Sequence, residues 1–419
     1  MKRRWIYSLL TASLVAGMVG TSYADVKVSG GELRLRGIMV DNGDSNTIDA
    51  PGIKNGGFWE QRTRLNVDAT ADDAKIFLQV QDSRIWGGQS VVGDNTVVTG
   101  QDAEALDMAQ GYVEFGKLFS QPLSVRIGRQ AMAYGEHRLI GSFEWSNNAR
   151  RFDAIKFTYK HDAADIDVWT AKVKDGNQAY GNDDNFNGIY ASLKMVPKNA
   201  VDVYVLQKLN GTSNMNIYTI GGRVKGAVEN LNIDYNAEVA IQSGDFDADS
   251  SQSASAYALR AGYTIPNMKG LRIGVEYDAA TGNEASASPS TTAVDNEAFD
   301  NLYPTNHYLY GYTDDIGWSN INAWSINASL KPMDKVNLSV EYWNYKLAEE
   351  LSTGDDMGTE INVKVNHEMS KNINCELAYV MRDNGDAKAT GAYGSGSFGN
   401  ISKDESSTFG YLMINVKFM

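Results

Sequence analysis

The sequence predicts an all-β fold, a transmembrane antiparallel β-barrel of about eighteen strands with short periplasmic turns and long extracellular loops. Three observations predict it. Eighteen segments alternate apolar and polar residues, the connections between them alternate in length, and the prolines fall in connections. Alternation with a period of two is typical of strands with one apolar face. Short turns at one end and long loops at the other are the plan of bacterial outer-membrane barrels.

The candidate strands are clearest where apolar residues recur at every second position. In one of them Ile233, Tyr235, Ala237, Val239 and Ile241 alternate with polar residues. A soluble β-sandwich shows the same alternation, so periodicity alone does not decide the fold. The eighteen candidates lie around 26–40, 57–70, 74–86, 105–118, 121–133, 151–160, 164–174, 187–196, 200–209, 216–226, 231–243, 254–265, 269–281, 321–331, 335–347, 357–369, 372–383 and 406–419.

The connections separate the two folds. Every second connection is short: 70–74, 118–122, 161–164, 196–200, 226–230, 265–269, 331–335 and 369–372. The others are mostly long, such as 41–56, 87–104, 134–150, 281–320 and 383–405, with a short exception at 209–215. A soluble sandwich has no reason to sort its loops in this way, whereas an outer-membrane barrel does. With an even strand number, both termini lie at the short-turn end.

The N-terminal residues 1–24 have the features of a secretory signal peptide. A basic start, an apolar centre and the small-x-small sequence Ser22-Tyr23-Ala24 follow one another. We therefore expect 1–24 to be removed and 25–419 to form one barrel domain. The mature charge is then 35 − 52 = −17, which argues against nucleic acid as a partner. A single cysteine, Cys375, excludes an internal disulfide; we interpret it as a small lipid-facing residue.

Two blocks of sequence carry a family resemblance. The first reads RIGRQAMAYGEHRLIGSFEWSNNARRFDAIKF from Arg126 to Phe157, and the second reads FDNLYPTNHYLYGYTDDIGWSN from Phe299 to Asn320. In their order and separation they resemble the alginate export family of outer-membrane porins. The resemblance implies a channel through which an anionic uronate polymer passes along arginines. The last strand is also similar to the C-terminal signal read by the barrel-insertion machinery, although Phe418 is penultimate here.

Charged residues opposite the apolar faces are the candidate pore-lining or substrate-binding groups. Arginine offers a planar fork for carboxylates and remains charged. Ten of the fourteen arginines of 25–419 lie between Arg34 and Arg151, whereas carboxylates dominate later strands. We expect an arginine wall to face a carboxylate wall; the alternative is a lattice in which acids such as Glu32, Glu60 or Asp68 neutralise the arginines. The candidates are Arg34, Arg36, Arg62, Arg64, Arg126, Arg129, Arg138, Arg151, Glu238 and Glu276.

The long loops at 134–150 and 281–320 contain the two family blocks. A barrel of eighteen strands is too wide for side chains to fill, so we predict that at least one of these loops folds inward. The alternative is that the loops pack on one another outside the barrel.

Nothing in the sequence indicates catalysis, a cofactor or a metal site. The four histidines lack ligand spacing, and the acidic run 245–249 lacks the Gly and Glu of a calcium loop. No GxSxG sequence, P-loop or Cys/His pair stands out.

We therefore expect a non-enzymatic outer-membrane porin for charge-biased diffusion of small hydrophilic solutes or an anionic polysaccharide, in contact with outer-membrane lipid. The alternative is a barrel scaffold that sheathes a periplasmic or electron-transfer partner.

Overall fold

Eighteen strands make up most of the described part of the chain. The computed structural model describes residues 25–41, 56–71, 73–86, 106–175, 183–284, 295–351, 354–387 and 406–418. The strands are β1 Asp25–Asp41, β2 Gly56–Ala71, β3 Ala74–Ile85, β4 Asp107–Phe115, β5 Leu123–Gln130, β6 Phe152–Lys160, β7 Ala164–Lys174, β8 Asp184–Leu193, β9 Ala200–Asn210, β10 Met215–Val228, β11 Ile233–Asp245, β12 Ser251–Thr264, β13 Arg272–Ala280, β14 Ile321–Met333, β15 Val336–Leu351, β16 Gly354–Ser370, β17 Ile373–Asn384 and β18 Ser406–Phe418.

The strands form a closed antiparallel barrel. Each strand pairs with its neighbour in the chain, and β18 pairs with β1 in a register that runs from Gly31 opposite Phe418 to Asp41 opposite Thr408. Closure satisfies the edge hydrogen bonds that an open sheet would leave unpaired in lipid. The predicted fold class is confirmed. Within the described residues, no helix combines the length and the apolar character that crossing a bilayer requires.

Alternate residues of each strand face lipid or the lumen. On β11, Val239 and Ile241 are 50% and 60% exposed, whereas Glu238 and Ala240, which alternate with them, are 7% and 0% exposed. The same alternation leaves Ile273 and Val275 of β13 exposed. The outward face is thus apolar, as contact with lipid requires, and the inward face is polar.

The observed strand bounds lie within a few residues of the sequence-based ones, because alternation and turn chemistry are both local signals. The largest shift is four residues, at the end of β15, and shifts of three residues occur at β4, β5, β8, β12, β13 and β16. The proposed signal peptide, the loop at 87–104 and most of the loop at 383–405 lie outside the described residues.

Candidate functional site: two loops inside the lumen

The loop between β5 and β6, residues 131–151, lies inside the barrel. Arg34 of β1 and Arg62 of β2 donate hydrogen bonds to the backbone carbonyl of Glu144, at 2.7 and 2.9 Å. Arg34 also donates to the side-chain carbonyl of Asn147, at 2.9 Å. Since both arginines lie near the middle of their strands, the loop reaches the mid-depth of the lumen. The predicted inward loop is therefore present.

Three of the four arginines of β1 and β2 are paired with acids. Arg36 contacts Glu60 at 2.5 Å and Arg62 contacts Glu32 at 2.7 Å. Arg64 pairs with the loop residue Glu144 at 2.6 Å. All three arginines are at most 5% exposed. This is the alternative that the sequence left open: the arginine wall is a lattice of ion pairs, and it binds a loop rather than facing open water.

Trp145 of the β5–β6 loop is packed between charged and aromatic groups. The Arg36 guanidinium lies 3.8 Å from the centre of its ring, and the ring of His307 stacks on it at 3.7 Å. The His307 ring nitrogen Nδ1 lies 2.7 Å from the Asp314 carboxylate. Tyr411 of β18 packs against Trp145 edge-on. One side chain thus joins the β1–β2 wall, β18 and the β13–β14 loop.

Arg138 attaches the same loop to the opposite wall of the barrel. Its guanidinium is paired with Glu276 and with Asp278 of β13, the latter at 3.0 Å, and it donates to the Tyr310 hydroxyl at 2.9 Å. Arg138 and Asp278 are at most 2% exposed. A buried charge needs such pairing, because removing it from water costs several kcal/mol. The loop therefore bridges the barrel from β1–β2 to β13.

Glu136 of the same loop contacts three basic side chains. Its carboxylate lies 2.8 Å from Lys225 and 3.3 Å from Arg223, both on β10, and 2.7 Å from Arg260 on β12. Burial alone would raise the pKa of Glu136, but Lys225 and Arg260 outweigh it and hold the pKa at about 2. The carboxylate is therefore charged at neutral pH.

The β13–β14 loop, described over 281–284 and 295–320, also enters the lumen and pairs with the β5–β6 loop. Ile140 and Tyr303 form a parallel bridge. The Gly141 amide donates to the Tyr303 carbonyl at 2.8 Å, and the Tyr303 amide donates to the Leu139 carbonyl at 3.0 Å. Backbone hydrogen bonds thus join the two loops.

The β13–β14 loop is held by the wall formed by β15–β17. The backbone at Gly311 has φ of +88° and lies against Glu360 of β16, where a Cβ atom would meet the carboxylate at 2.2 Å. This close approach lets the Tyr312 amide and the Thr313 hydroxyl both donate to Glu360, each at 2.6 Å. Arg382 of β17 pairs with Asp315 at 3.1 Å. Only glycine reaches this backbone conformation without strain.

A cavity of about 290 Å³ lies where Glu136 meets the wall of β10–β15. Its lining includes Lys225, Arg260, Arg272, Glu136, Asp234 and Glu341, together with Tyr308 and Trp343. Arg272 is paired with Asp234 at 2.7 Å. The cavity therefore presents polar groups of both charges and two aromatic rings to any solute inside it.

The candidate site residues fall into three groups. Arg34, Arg36, Arg62 and Arg64 contact the β5–β6 loop from the wall. Arg138 and Arg151 belong to that loop, and Arg151 pairs with Glu144 at 2.9 Å. Arg126, Glu238 and Glu276 are inward-facing wall residues; Arg126 pairs with Glu114 at 2.6 Å, and Glu238 accepts from Tyr204 at 3.0 Å.

Arg129 differs from the other candidate residues in the strand face on which it lies. It lies on the face of β5 that carries the exposed Ile127, and it pairs with Asp153, which shares a face of β6 with the exposed Ile155. Arg129 and Asp153 are 46% and 53% exposed. Strand alternation gives the physical reason: an odd-numbered residue of β5 faces outward. Arg129 therefore lies on the outward face of β5 at the loop end of the barrel, where it lines a cavity of about 590 Å³ together with Arg151 of the β5–β6 loop.

The candidate list omitted the residues that hold the loops together. Arg260 and Arg382 occupy inward positions next to the exposed Leu259 and Met381, and Arg223 and Lys225 lie on the inward face of β10 on either side of Val224, so alternation could have found all four. Glu136, Glu144, Trp145 and His307 lie in loops, where no periodic signal shows which way a side chain points. Among the described residues, no group of three His, Cys, Asp or Glu side chains could hold a metal ion.

The geometry defines a class of protein: a membrane β-barrel whose polar lumen is restricted by two of its own loops. Residues 29–399 match the family model described as alginate export. The match covers most of the chain, so the protein belongs to the alginate export family of outer-membrane proteins.

Solved structures share the fold at low sequence identity. Pseudomonas aeruginosa OccK8 (OprE) superposes with a TM-score of 0.64 at 10% identity, covering 94% of this chain and 98% of the other. Acinetobacter baumannii OccAB2 gives 0.61 at 11% identity, with 93% and 97% covered. Pseudomonas aeruginosa OpdK with vanillate gives 0.62 at 9% identity, with 94% and 98% covered. A comparison with curated proteins finds no significant match.

Proposed function

We propose that this protein is an outer-membrane channel for the passive diffusion of small hydrophilic solutes. The observation that carries the proposal is the lumen itself: two loops, held to opposite walls by ion pairs, restrict a closed barrel while leaving a polar cavity beside them. A restriction of this kind selects solutes by size and charge and uses no chemical step. Outer-membrane lipid surrounds the apolar outer face.

The charge pattern supports weak rather than strong ion selectivity. The described residues that line the cavity near Glu136 include three basic side chains, Lys225, Arg260 and Arg272, and four acidic ones, Glu136, Asp234, Glu276 and Glu341. The arginines of β1 and β2 are buried against acids and against the β5–β6 loop. Opposite charges at contact distance cancel most of their field at longer range.

Passage of an anionic polysaccharide is the second candidate function, and membership of the alginate export family favours it. A polymer chain would have to pass the Glu144 and Arg138 contacts in the middle of the lumen, so the loops would have to move for export. A scaffold that sheathes a protein partner is less well supported, because the two loops already occupy that space.

Export and insertion complete the proposal. We expect the segment 1–24 to direct the chain across the inner membrane and the C-terminal strand, which ends at Phe418 in the barrel wall, to bind the barrel-insertion machinery. Replacing Phe418 by a polar residue should then slow membrane insertion, which can be followed by the change in electrophoretic mobility between folded and heated protein.

The first test is the reversal potential of the refolded barrel in a planar bilayer under a KCl gradient. We expect conduction with a potassium-to-chloride permeability ratio within about threefold of one, since the paired charges nearly balance. Lys225→Gln should move the ratio toward potassium and Glu341→Gln toward chloride. A folded barrel that conducts no ions under any condition would contradict the channel function.

A further inference from the structure

Lys225 and Arg260 form a small anion site with an unusual occupant, the protein's own Glu136. Lys225 of β10, Asn236 of β11 and Arg260 of β12 lie side by side in register, since Lys225 is opposite Asn236 and Asn236 is opposite Arg260. All three therefore face the lumen at one level. Neighbouring strands are about 4.8 Å apart, so the two basic groups can contact one carboxylate between them, as they do with Glu136.

The other charged residues nearby are paired with one another, so Glu136 is the main acidic partner of Lys225 and Arg260. Arg223 is already bound by Asp202 through two hydrogen bonds of 2.7 and 3.0 Å. Arg260 has one further acid, Glu276, at 3.9 Å, and Glu276 is itself paired with Arg138. Asn236 is 7% exposed and lies between Lys225 and Arg260 in the strand register, where its side-chain NH₂ group is the part that can donate to a carboxylate. The site is therefore polar, cationic and completed by the loop carboxylate.

The site is open to the cavity of about 290 Å³, and Lys225, Asn236 and Arg260 all line it. The Lys225 side chain is 54% exposed and that of Arg260 is 27% exposed, so a solute in the cavity can contact both. Glu136 itself is 17% exposed, and it is joined to the wall by side-chain contacts. A soluble carboxylate can replace such contacts one for one, because it presents the same two oxygens.

We propose that Lys225, Asn236 and Arg260 form a binding site for small carboxylate solutes, and that Glu136 is an internal competitor for it. A solute carboxylate that displaces Glu136 loosens one attachment of the β5–β6 loop, so that the solute's own charge opens its path. The inference deepens the proposed function, since it names the solute class for which the lumen is built.

The test uses gluconate as the probe and sorbitol, which has a CH₂OH group in place of the carboxylate, as its neutral match. Calorimetric titration of the folded barrel in detergent measures binding without requiring conduction. Glu136→Gln keeps the side-chain size and removes the competing charge, so gluconate should bind about tenfold more tightly than to the unaltered protein, equivalent to about 1.4 kcal/mol. Sorbitol binding should not change.

Two further variants keep the proposal falsifiable. Adding Lys225→Gln to Glu136→Gln should abolish the gain, whereas Glu297→Gln, at an exposed loop carboxylate, should leave gluconate binding as in the unaltered protein. Gluconate binding that is unaffected by Glu136→Gln, or a gain that persists without Lys225, would overturn the inference. A barrel that binds gluconate in this pattern yet conducts no ions would instead contradict only the proposed channel.

Discussion

Single buried residues, rather than the strands, determine how the lumen is filled. Arg138 is 1% exposed and stands between Glu276 and Asp278, and the Tyr310 and Trp318 rings also face its guanidinium. Such a group stabilises the structure only as part of a complete set, since each charge in it would be costly if left alone.

Arg138→Gln should therefore be strongly destabilising. It leaves the buried Asp278 without its cation and leaves Glu276 with only Arg260, at 3.9 Å. Breaking a buried pair in this way costs about 3–5 kcal/mol. The midpoint of guanidinium unfolding in detergent measures the change. Arg129→Gln is the matched control, because its ion pair lies on the outside, about half exposed, and such pairs contribute about 1 kcal/mol or less. Equal shifts for the two variants would contradict the assignment.

The sequence predicts the positions of some of these buried side chains but not their partners. Alternation alone shows that Arg34, Arg36, Arg62 and Arg64 share a face opposite the apolar one, and the structure has them there. It cannot show that Arg34, Arg62 and Arg64 contact Glu144, some 80–110 positions away in the chain, because a loop residue has no periodicity. Arg129 lies on the other face of its strand, together with the exposed Ile127.

At the scale of elements, the two loops act as one unit. Gly141 sits where they meet, and a Cβ atom there would lie 2.2 Å from the Thr305 hydroxyl and 2.8 Å from the Thr305 amide nitrogen. Backbone on one side of the contact cannot move without breaking the hydrogen bonds between the loops.

Gly141→Ala should thus separate the loops and widen the passage. We expect a larger and noisier single-channel conductance and faster trypsin cleavage within 131–151. Gly116→Ala is the control, since a Cβ atom at Gly116 meets nothing within 4 Å. If both variants conduct like the unaltered protein, the packing of Gly141 against Thr305 does not restrict the lumen.

Acid should release the β5–β6 loop. Burial would raise the pKa of Glu144, but Arg64, Arg151 and Arg62 outweigh it and hold the pKa at about 2, below the ordinary 4.5. The docked loop thus has the lower pKa, so this stabilisation is complete above pH 4.5 and is lost as the pH falls toward 2. Conductance should rise over that interval, and Glu144→Gln should show the raised conductance already at neutral pH.

At the scale of the whole molecule, the sequence was most informative. Strand number, order and the sorting of connections all follow from local signals repeated eighteen times, so small errors at single strand ends do not accumulate. The interior was not predictable to the same degree, because which loop meets which wall depends on contacts between distant parts of the chain.

The orientation of the barrel can be tested with cysteines placed at its two ends. Cys375 itself shares the outward face of β17 with the exposed Leu377, so the test uses a Cys375→Ser background. Lys371→Cys, in the exposed short turn that we place in the periplasm, should remain unlabelled when a membrane-impermeant maleimide is added to intact cells. Asp249→Cys in the exposed loop after β11 should be labelled readily. Labelling of the Lys371→Cys variant alone would mean that the barrel is inverted.

Trp145 has a consequence for how the barrel closes. It touches Arg36 on β1 and Tyr411 on β18, the two strands whose pairing joins the ends of the chain, such as Gly31 with Phe418. Bringing such distant segments together has the largest loop-closure entropy cost of any strand pairing in the barrel. An aromatic side chain that contacts both strands from within stabilises their pairing in the folded barrel, so the loop that narrows the channel also holds its seam closed.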